Sequence, residues 1–391
     1  MKKKLAIAAA VAATFASASY AQSSVTLYGI VDAGLTYTTN VAKMNPDGTV
    51  SGNRNFALTS GNLSASRWGL RGVEDLGGGL KTIFTLESGF NIANGQQNGG
   101  LFNRQAYVGL TQDQYGTVTF GRQFDSMIDY VSPLTAVGTW GGNYTAHLID
   151  NDDLNGTFSL NNSIKYTSPN FSGFQFGGLY AFSNQAGGFA VNRAYSAGMS
   201  YAYQGLRLGA AYTQINGVDA NGGGAVQGSP MAYTLNQASL NGPIGAIGAN
   251  ERQRNWGAGA SYTYGPMVGG VVFTQSRVND SLGNSLRFNN IEANARYNLT
   301  PALGIGAMYT YTNANGSVLD ANGSNSAHWH QFALQADYSL SKRTDVYLEG
   351  VGMWGAGQNA VGITQVGFQG NDNFSSSKNQ GIITTGIRHR F

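Results

Sequence analysis

Cysteine is absent from the 391 residues, proline occurs only 7 times, and charged residues make up 11%. Without cysteine there are no disulfides, thiolate zinc sites or thiol nucleophiles. Disordered chains are rich in charge and proline and poor in aromatics, whereas aromatics here reach 12%. Net positive charge is equally scarce. The formal balance is +3, and Lys2, Lys3 and Lys4 supply it, leaving 20 basic and 20 acidic residues in the rest of the chain. A nucleic-acid partner, which calls for a basic stripe, is not expected. What the chain has in excess is glycine, 56 of 391, about twice the ordinary rate of roughly 7%.

Residues 1–21 read as a cleaved signal peptide: three lysines, an apolar run from Leu5 to Phe15, and a small-x-small end at Ser19-Tyr20-Ala21. That apolar run is too short to span ~30 Å of hydrocarbon, and no later stretch of 18 apolar residues offers a transmembrane helix. The rest, 22–391, reads as one domain of period-2 alternation. Phe332, Leu334, Ala336, Tyr338 and Leu340 alternate with Gln331, Ala333, Gln335, Asp337 and Ser339. Ile291 to Leu299, Leu206 to Thr213 and Asn255 to Tyr264 repeat the pattern, one apolar face and one more polar face per strand. Seven short turns alternate with eight longer stretches, 40–63, 91–101, 124–161, 183–193, 217–253, 278–287, 314–326 and 355–378, separating sixteen strands.

A soluble β-sandwich also alternates. Segment lengths favour instead the roughly 9–11 residues of a transmembrane strand, as do Tyr and Phe near segment ends. The chain also stops on Phe391 at the end of a strand. The expected fold is all-β, a 16-stranded antiparallel transmembrane barrel with short periplasmic turns and long extracellular loops. In lipid such a sheet survives only when closed, so the first strand (Ser24 to Tyr37) should pair with the last (Asn379 to Phe391). Sixteen strands leave an aqueous channel.

Several segments carry a family resemblance: Val25-Thr26-Leu27-Tyr28-Gly29-Ile30-Val31-Asp32, Ser66 to Leu80, Asn103 to Leu110, Phe120-Gly121-Arg122-Gln123 and Gly386 to Phe391. Together they resemble the Gram-negative general-diffusion porins of the beta-proteobacterial branch. The resemblance implies a homotrimer in the outer membrane, a channel for passive diffusion of small polar solutes and ions, and a third loop, here about 124–161, folded into the pore. It also implies contact with outer-membrane lipid and lipopolysaccharide, and reading of Phe391 as an assembly signal by the barrel-assembly machinery. It implies no cofactor, metal or enzymatic step.

Charge placement points to the same slot. From Gln123 to Ser163 there is no Lys or Arg, but five acids: Asp125, Asp129, Asp150, Asp152 and Asp153. Parity sets Arg67 and Arg71 opposite Trp68 and Leu70, and Lys165 opposite Ile164 and Tyr166, which turns the three cations toward water. Arg104 falls in step with Ala106, Val108 and Leu110, so its place on the basic wall rests on the resemblance alone. The expectation is a transverse field between this wall and the loop acids, focused by low-dielectric walls. Arg122, in step with Val118 and Phe120, is expected outside, and the resemblance implies a subunit contact there.

Other signals are weaker. Asp150 to Gly156 has Leu154 at the fifth position and Asn161 at the twelfth, so the calcium-loop spacing fails. His328 and His330 share a strand face with no third ligand in view and read as solvated imidazoles. An outer-membrane hydrolase would need a nucleophile motif that is missing. A surface adhesin would use the loop 217–253, and a substrate-specific channel an aromatic lumen track.

Overall fold

The structure is a computed structural model that describes residues 23–97, 99–217, 223–226, 250–319, 325–361, 363–367 and 373–391. The expected signal peptide, 1–21, and much of the loop at 217–253 lie outside the described residues. The strands are β1 (Ser24–Met44), β2 (Val50–Ser60), β3 (Arg67–Gly77), β4 (Leu80–Gly89), β5 (Gln105–Gln112), β6 (Gly116–Gln123), β7 (Leu160–Thr167), β8 (Phe174–Ala181) and β9 (Arg193–Tyr203). They continue as β10 (Leu206–Asn216), β11 (Asn250–Tyr264), β12 (Met267–Asp280), β13 (Ser285–Asn298), β14 (Leu303–Gly316), β15 (Ser326–Ser339), β16 (Thr344–Ala356) and β17 (Asn379–Arg390).

Every pairing is antiparallel and the sheet closes. β1 meets β17 from Ile30↔Arg390 to Thr38↔Ile382 on one side. On its other side it meets β2 (Ala33↔Ser60 to Met44↔Val50) and then β3 (Ser24↔Val73 to Ile30↔Arg67). β2 and β3 are therefore two halves of one stave, broken at 61–66, and seventeen strands make a sixteen-stave barrel. The expected long loop at 40–63 is corrected accordingly. β1 runs on to Met44, turns at 45–49 with Asn45 N–H on Thr49 C=O at 2.8 Å, and returns as β2. From Asn45 to Asn55, Val50 is the one large apolar residue, too little for an alternating pattern, which hid the strand character of that stretch.

The burial pattern inverts that of a soluble domain. Val271, Ile291, Leu334 and Ile383 are each more than half exposed on the outside, while Thr274, Asn290, Glu292 and Gln331 are buried within. In lipid, where the outside is the apolar solvent, this is the stable arrangement. The wall is uneven in height. β5 to β8 have 8 residues each, whereas β11 to β16 have 13 to 15. At a tilt near 40° these correspond to about 20 Å and about 35 Å, against an apolar band of ~25 Å.

Candidate pore constriction

The segment between β6 and β7 enters the barrel, with its limits within two residues of the expected 124–161. Asp125 accepts from Met127 N–H (2.9 Å) and Ile128 N–H (3.3 Å) and so caps a short helix, α1 (Ser126–Tyr130). Thr135 caps a second, α2 (Ala136–Thr139), through Gly138 N–H. Side chains of the far wall receive this limb. Asn294 donates to Leu134 C=O (3.0 Å), Gln335 to Trp140 C=O (2.8 Å) and Gln331 to Tyr144 C=O (2.9 Å), and Glu292 accepts Ala136 N–H (2.7 Å). Glycine makes the fit possible. A Cβ at Gly209 would lie 2.0 Å from Tyr130 C=O, and one at Gly306 2.4 Å from the Trp140 ring.

The tip docks on the break between β2 and β3. Asn143 N–H donates to Asn62 C=O (2.9 Å), its amide to Gly61 C=O (2.7 Å), and Tyr144 OH to Asn62 Oδ1 (3.1 Å). Asp32 holds the break, accepting Leu63 and Ser64 N–H at 2.8 Å each and Tyr347 OH at 2.6 Å. On the return limb, fully buried His147 bridges Asp152 (Nδ1 to Oδ2, 2.6 Å) and Glu292 of β13 (Nε2 to Oε2, 3.0 Å). Burial opposes its protonation, but these two carboxylates push it up to about 10. Asp152 also accepts from Thr274 Oγ1 and, at 3.3 Å, from Asn290.

The loop acids divide. Asp125, Asp150, Asp152 and Asp153 are at most 4% exposed. They bind loop and wall donors, as Asp150 does with Asn155 N–H (3.0 Å) and Asp153 with Thr157 Oγ1 (3.2 Å). This corrects the expectation that all five face the slot: short loop segments tight against the wall need internal acceptors for their turns. Burial raises Asp125 to about 6 and Asp150 to about 7, and lifts Asp153 well above 3.8. Asp129 is the exception, its side chain 28% exposed, and it is salt-bridged to Lys165.

The facing wall holds the bases together. Arg104 Nε is 2.7 Å and Arg67 Nε 3.6 Å from Glu87 of β4, and Tyr28 OH donates to the same carboxylate at 3.0 Å. Arg104 also lies over the Phe124 ring (5.3 Å) and Arg71, exposed, over Tyr28 (5.4 Å). Lys165 sits inside as parity demands, donating to Phe124 C=O at 3.1 Å. Arg104 precedes the first strand residue Gln105, so the strand rule that set it outside never applied to it. Between this wall and the loop lies a cavity of about 310 Å³, lined by Arg104, Asn143, Asn155, Gly156 and Thr157 among others.

Four residues lie elsewhere. The guanidinium of Arg122 donates inside its own chain, to Asn103 C=O (2.8 Å), Ser159 C=O (3.2 Å) and Asn161 Oδ1 (2.5 Å), and so staples the two roots of the loop. Phe391 exchanges backbone hydrogen bonds with Gly29 at 3.0 and 3.1 Å across the closing seam. His330 contacts Tyr309 OH at 2.7 Å and His328 packs beside it, both half-buried among aromatics. Sequence reasoning missed Glu87, Asp32, His147 and Glu292. Asp32, Glu87 and Glu292 carried the one available signal, an acid at an inward parity position.

Three comparisons bear on this geometry. The profile of the Gram-negative porin family matches residues 8–352. An outer membrane porin protein of Bordetella pertussis is 38% identical over 253 residues, 60% of this chain and 65% of that one. Outer membrane porin protein 32 of Delftia acidovorans is 30% identical with both chains covered in full. Among solved structures, an anion-selective porin from Comamonas acidovorans aligns with a TM-score of 0.70 at 25% identity, covering 95% of this chain and 100% of that one.

Proposed function

Because the chain belongs to the Gram-negative porin family, we propose that it forms an open aqueous passage for small hydrophilic solutes and ions across the outer membrane, with a slot that favours anions. The barrel is an outer-membrane channel scaffold with no apolar helix long enough to cross a membrane among its described residues. Sixteen staves enclose more volume than side chains fill, and the third loop narrows it. The observation that carries the anion preference is the convergence of Arg67 and Arg104 on the single carboxylate of Glu87, with Arg71 beside them over the Tyr28 ring.

The field across the slot is lopsided. Four of the five loop acids are buried, and the fifth, Asp129, is neutralised by Lys165. Anions passing within about 8 Å of the arginines feel them little screened. The anion selectivity named for the Comamonas porin supports the same sign. The proposed assembly is a homotrimer, with the low wall around β5 and β6 against partner copies. Its outward Val108, Leu110 and Phe120 are about half exposed, and a wall of about 20 Å is too low to face lipid alone. Phe391 is proposed as the assembly signal.

The test is the reversal potential of refolded protein in a planar bilayer under a salt gradient. An ohmic channel reversing toward the chloride potential is expected. Reversal toward the cation potential would overturn the anion preference, and a folded barrel without conductance would overturn the passage itself.

A further inference from the structure

We propose that the outer face of β11, β12 and β13 is a binding site for a phosphate-bearing lipid of the outer leaflet, its headgroup held by Arg254, Arg277 and Arg287. Arg254 stands directly opposite Arg277, and Arg277 directly opposite Arg287, on three adjacent strands. All three share outward parity with Trp256, Phe273 and Ile291, which are exposed or half-buried on the lipid face. Arg277 and Arg287 are exposed and Arg254 half-buried. Directly opposed side chains have Cβ atoms only about 5 Å apart, and like charges there repel. Among the described residues no carboxylate pairs with any of the three, although the barrel's other guanidinium clusters hold acids, as Arg388 and Arg390 hold Asp345. A row of unpaired, opposed arginines calls for an external anion, and the guanidinium fork matches phosphate in particular.

Depth identifies the source of that anion. Arg254 lies ten residues up β11 from Tyr264, which is 76% exposed at the short-turn end beside Tyr297 and Met267. Ten residues at ~3.4 Å and a tilt near 40° rise about 26 Å, the height of the apolar band. With Tyr264 at the inner interface, the arginine row lies at the outer one. Polarity grades downward from it: Trp256 donates to Gln275 (3.2 Å) and Gln275 to Asn289 (2.7 Å), and the next row is Ala258, Phe273 and Ile291. Below and beside that, on β13 to β16, Ala293, Ala307, Gly350 and Gly352 floor a trough of about 690 Å³ under Tyr309 and Phe332. Headgroup charge above and a smooth apolar channel below fit one lipid molecule, which a soluble anion would fill only in part. The inference rests on the barrel lying in the outer membrane and is independent of conductance.

Native mass spectrometry of the refolded protein in detergent, with bis-phosphorylated lipid A as probe, tests it. Wild type should hold the phosphorylated lipid at least tenfold more tightly than its dephosphorylated form. In the combined variant Arg254→Gln, Arg277→Gln, Arg287→Gln that preference should vanish, while the triple Arg→Lys variant keeps part of it. Unchanged preference in the Gln variant would overturn the site. So would displacement of the lipid by inorganic phosphate at equal concentration, because the row would then be a site for soluble anions. Ordinary single-channel conductance in both variants certifies that the barrel has folded.

Discussion

The two sides of the slot carry opposite charges for different physical reasons. On the wall side Arg67, Arg71 and Arg104 are anchored on strands or beside them and reach water, Arg67 and Arg104 paired with Glu87 and Arg71 over the Tyr28 ring. On the loop side four carboxylates are buried and spend their lone pairs on turns, caps and His147. Charge that faces water acts on a passing solute; charge that is buried with donors holds backbone in place. On the proposed reading the wall sets selectivity and the loop acids set the loop's position.

If that division holds, the largest effect comes from unseating the loop. His147→Ala leaves Asp152 and Glu292 as buried acids without their shared cation, and breaking a buried pair in this way costs about 3–5 kcal/mol. The barrel, closed by its own hydrogen bonds, should still fold and resist detergent. The loop should leave the wall, and single-channel conductance should rise with open-channel noise. Unchanged conductance would put His147 among replaceable packing residues and erase the contrast between the two sides.

The wall's share is smaller. Arg67→Ala with Arg104→Ala leaves Glu87 unpaired except for Tyr28 and reverses the local sign near Asn143 and Thr157. About 1.4 kcal/mol, a tenfold change in permeability ratio toward cations, is the scale for removing two charges a few ångströms from the path. Conductance should change little, since the loop stays put. A reversal potential that does not move would remove both residues from the filter.

How much of this was legible beforehand follows from the same contrast. Period 2 and turn spacing suffice for the closed barrel, its β1–β17 seam and the inward Arg67, Arg71 and Lys165, because a strand's geometry is local. The loop is not periodic, so sequence placed its five acids together by proximity alone. Whether an Asp caps a helix, as Asp125 does, or meets a histidine, as Asp152 does, depends on the wall opposite. The inward glycines, Gly209 and Gly306, marked the loop's path but read only as composition. For Arg122 parity gave no hint of the irregularity opposite it, where β7 takes three residues from Ser163 to Leu160 against two from Gly121 to Gln123 of β6 and so brings Asn161 within reach. The three intrachain acceptors of Arg122 make it a loop staple.

The smallest expected effect is pH. Asp125 and Asp150, at about 6 and about 7 against an ordinary 3.8, hold protons in the seated loop that a hydrated, unseated loop would release. The seated state then binds more protons, so its stability falls as pH rises from about 4 through about 7. His147 has the same sign in a higher window: its contribution is complete below 6.5 and is lost as pH approaches about 10. Asp152 runs the other way. Burial would raise it, but His147 beside it brings it below 3.8, so its contribution is present above that value and disappears beneath it. The seat is therefore tightest at mildly acidic pH and loosens in two stages toward pH 10. Open-channel noise should rise in those stages in wild type, Asp150→Asn should shrink the lower one to the share of Asp125, and selectivity, on the proposed reading set by arginines, should stay fixed. Noise that is flat from pH 5 to 10, or selectivity that drifts with it, would show that the loop acids act on the solute after all.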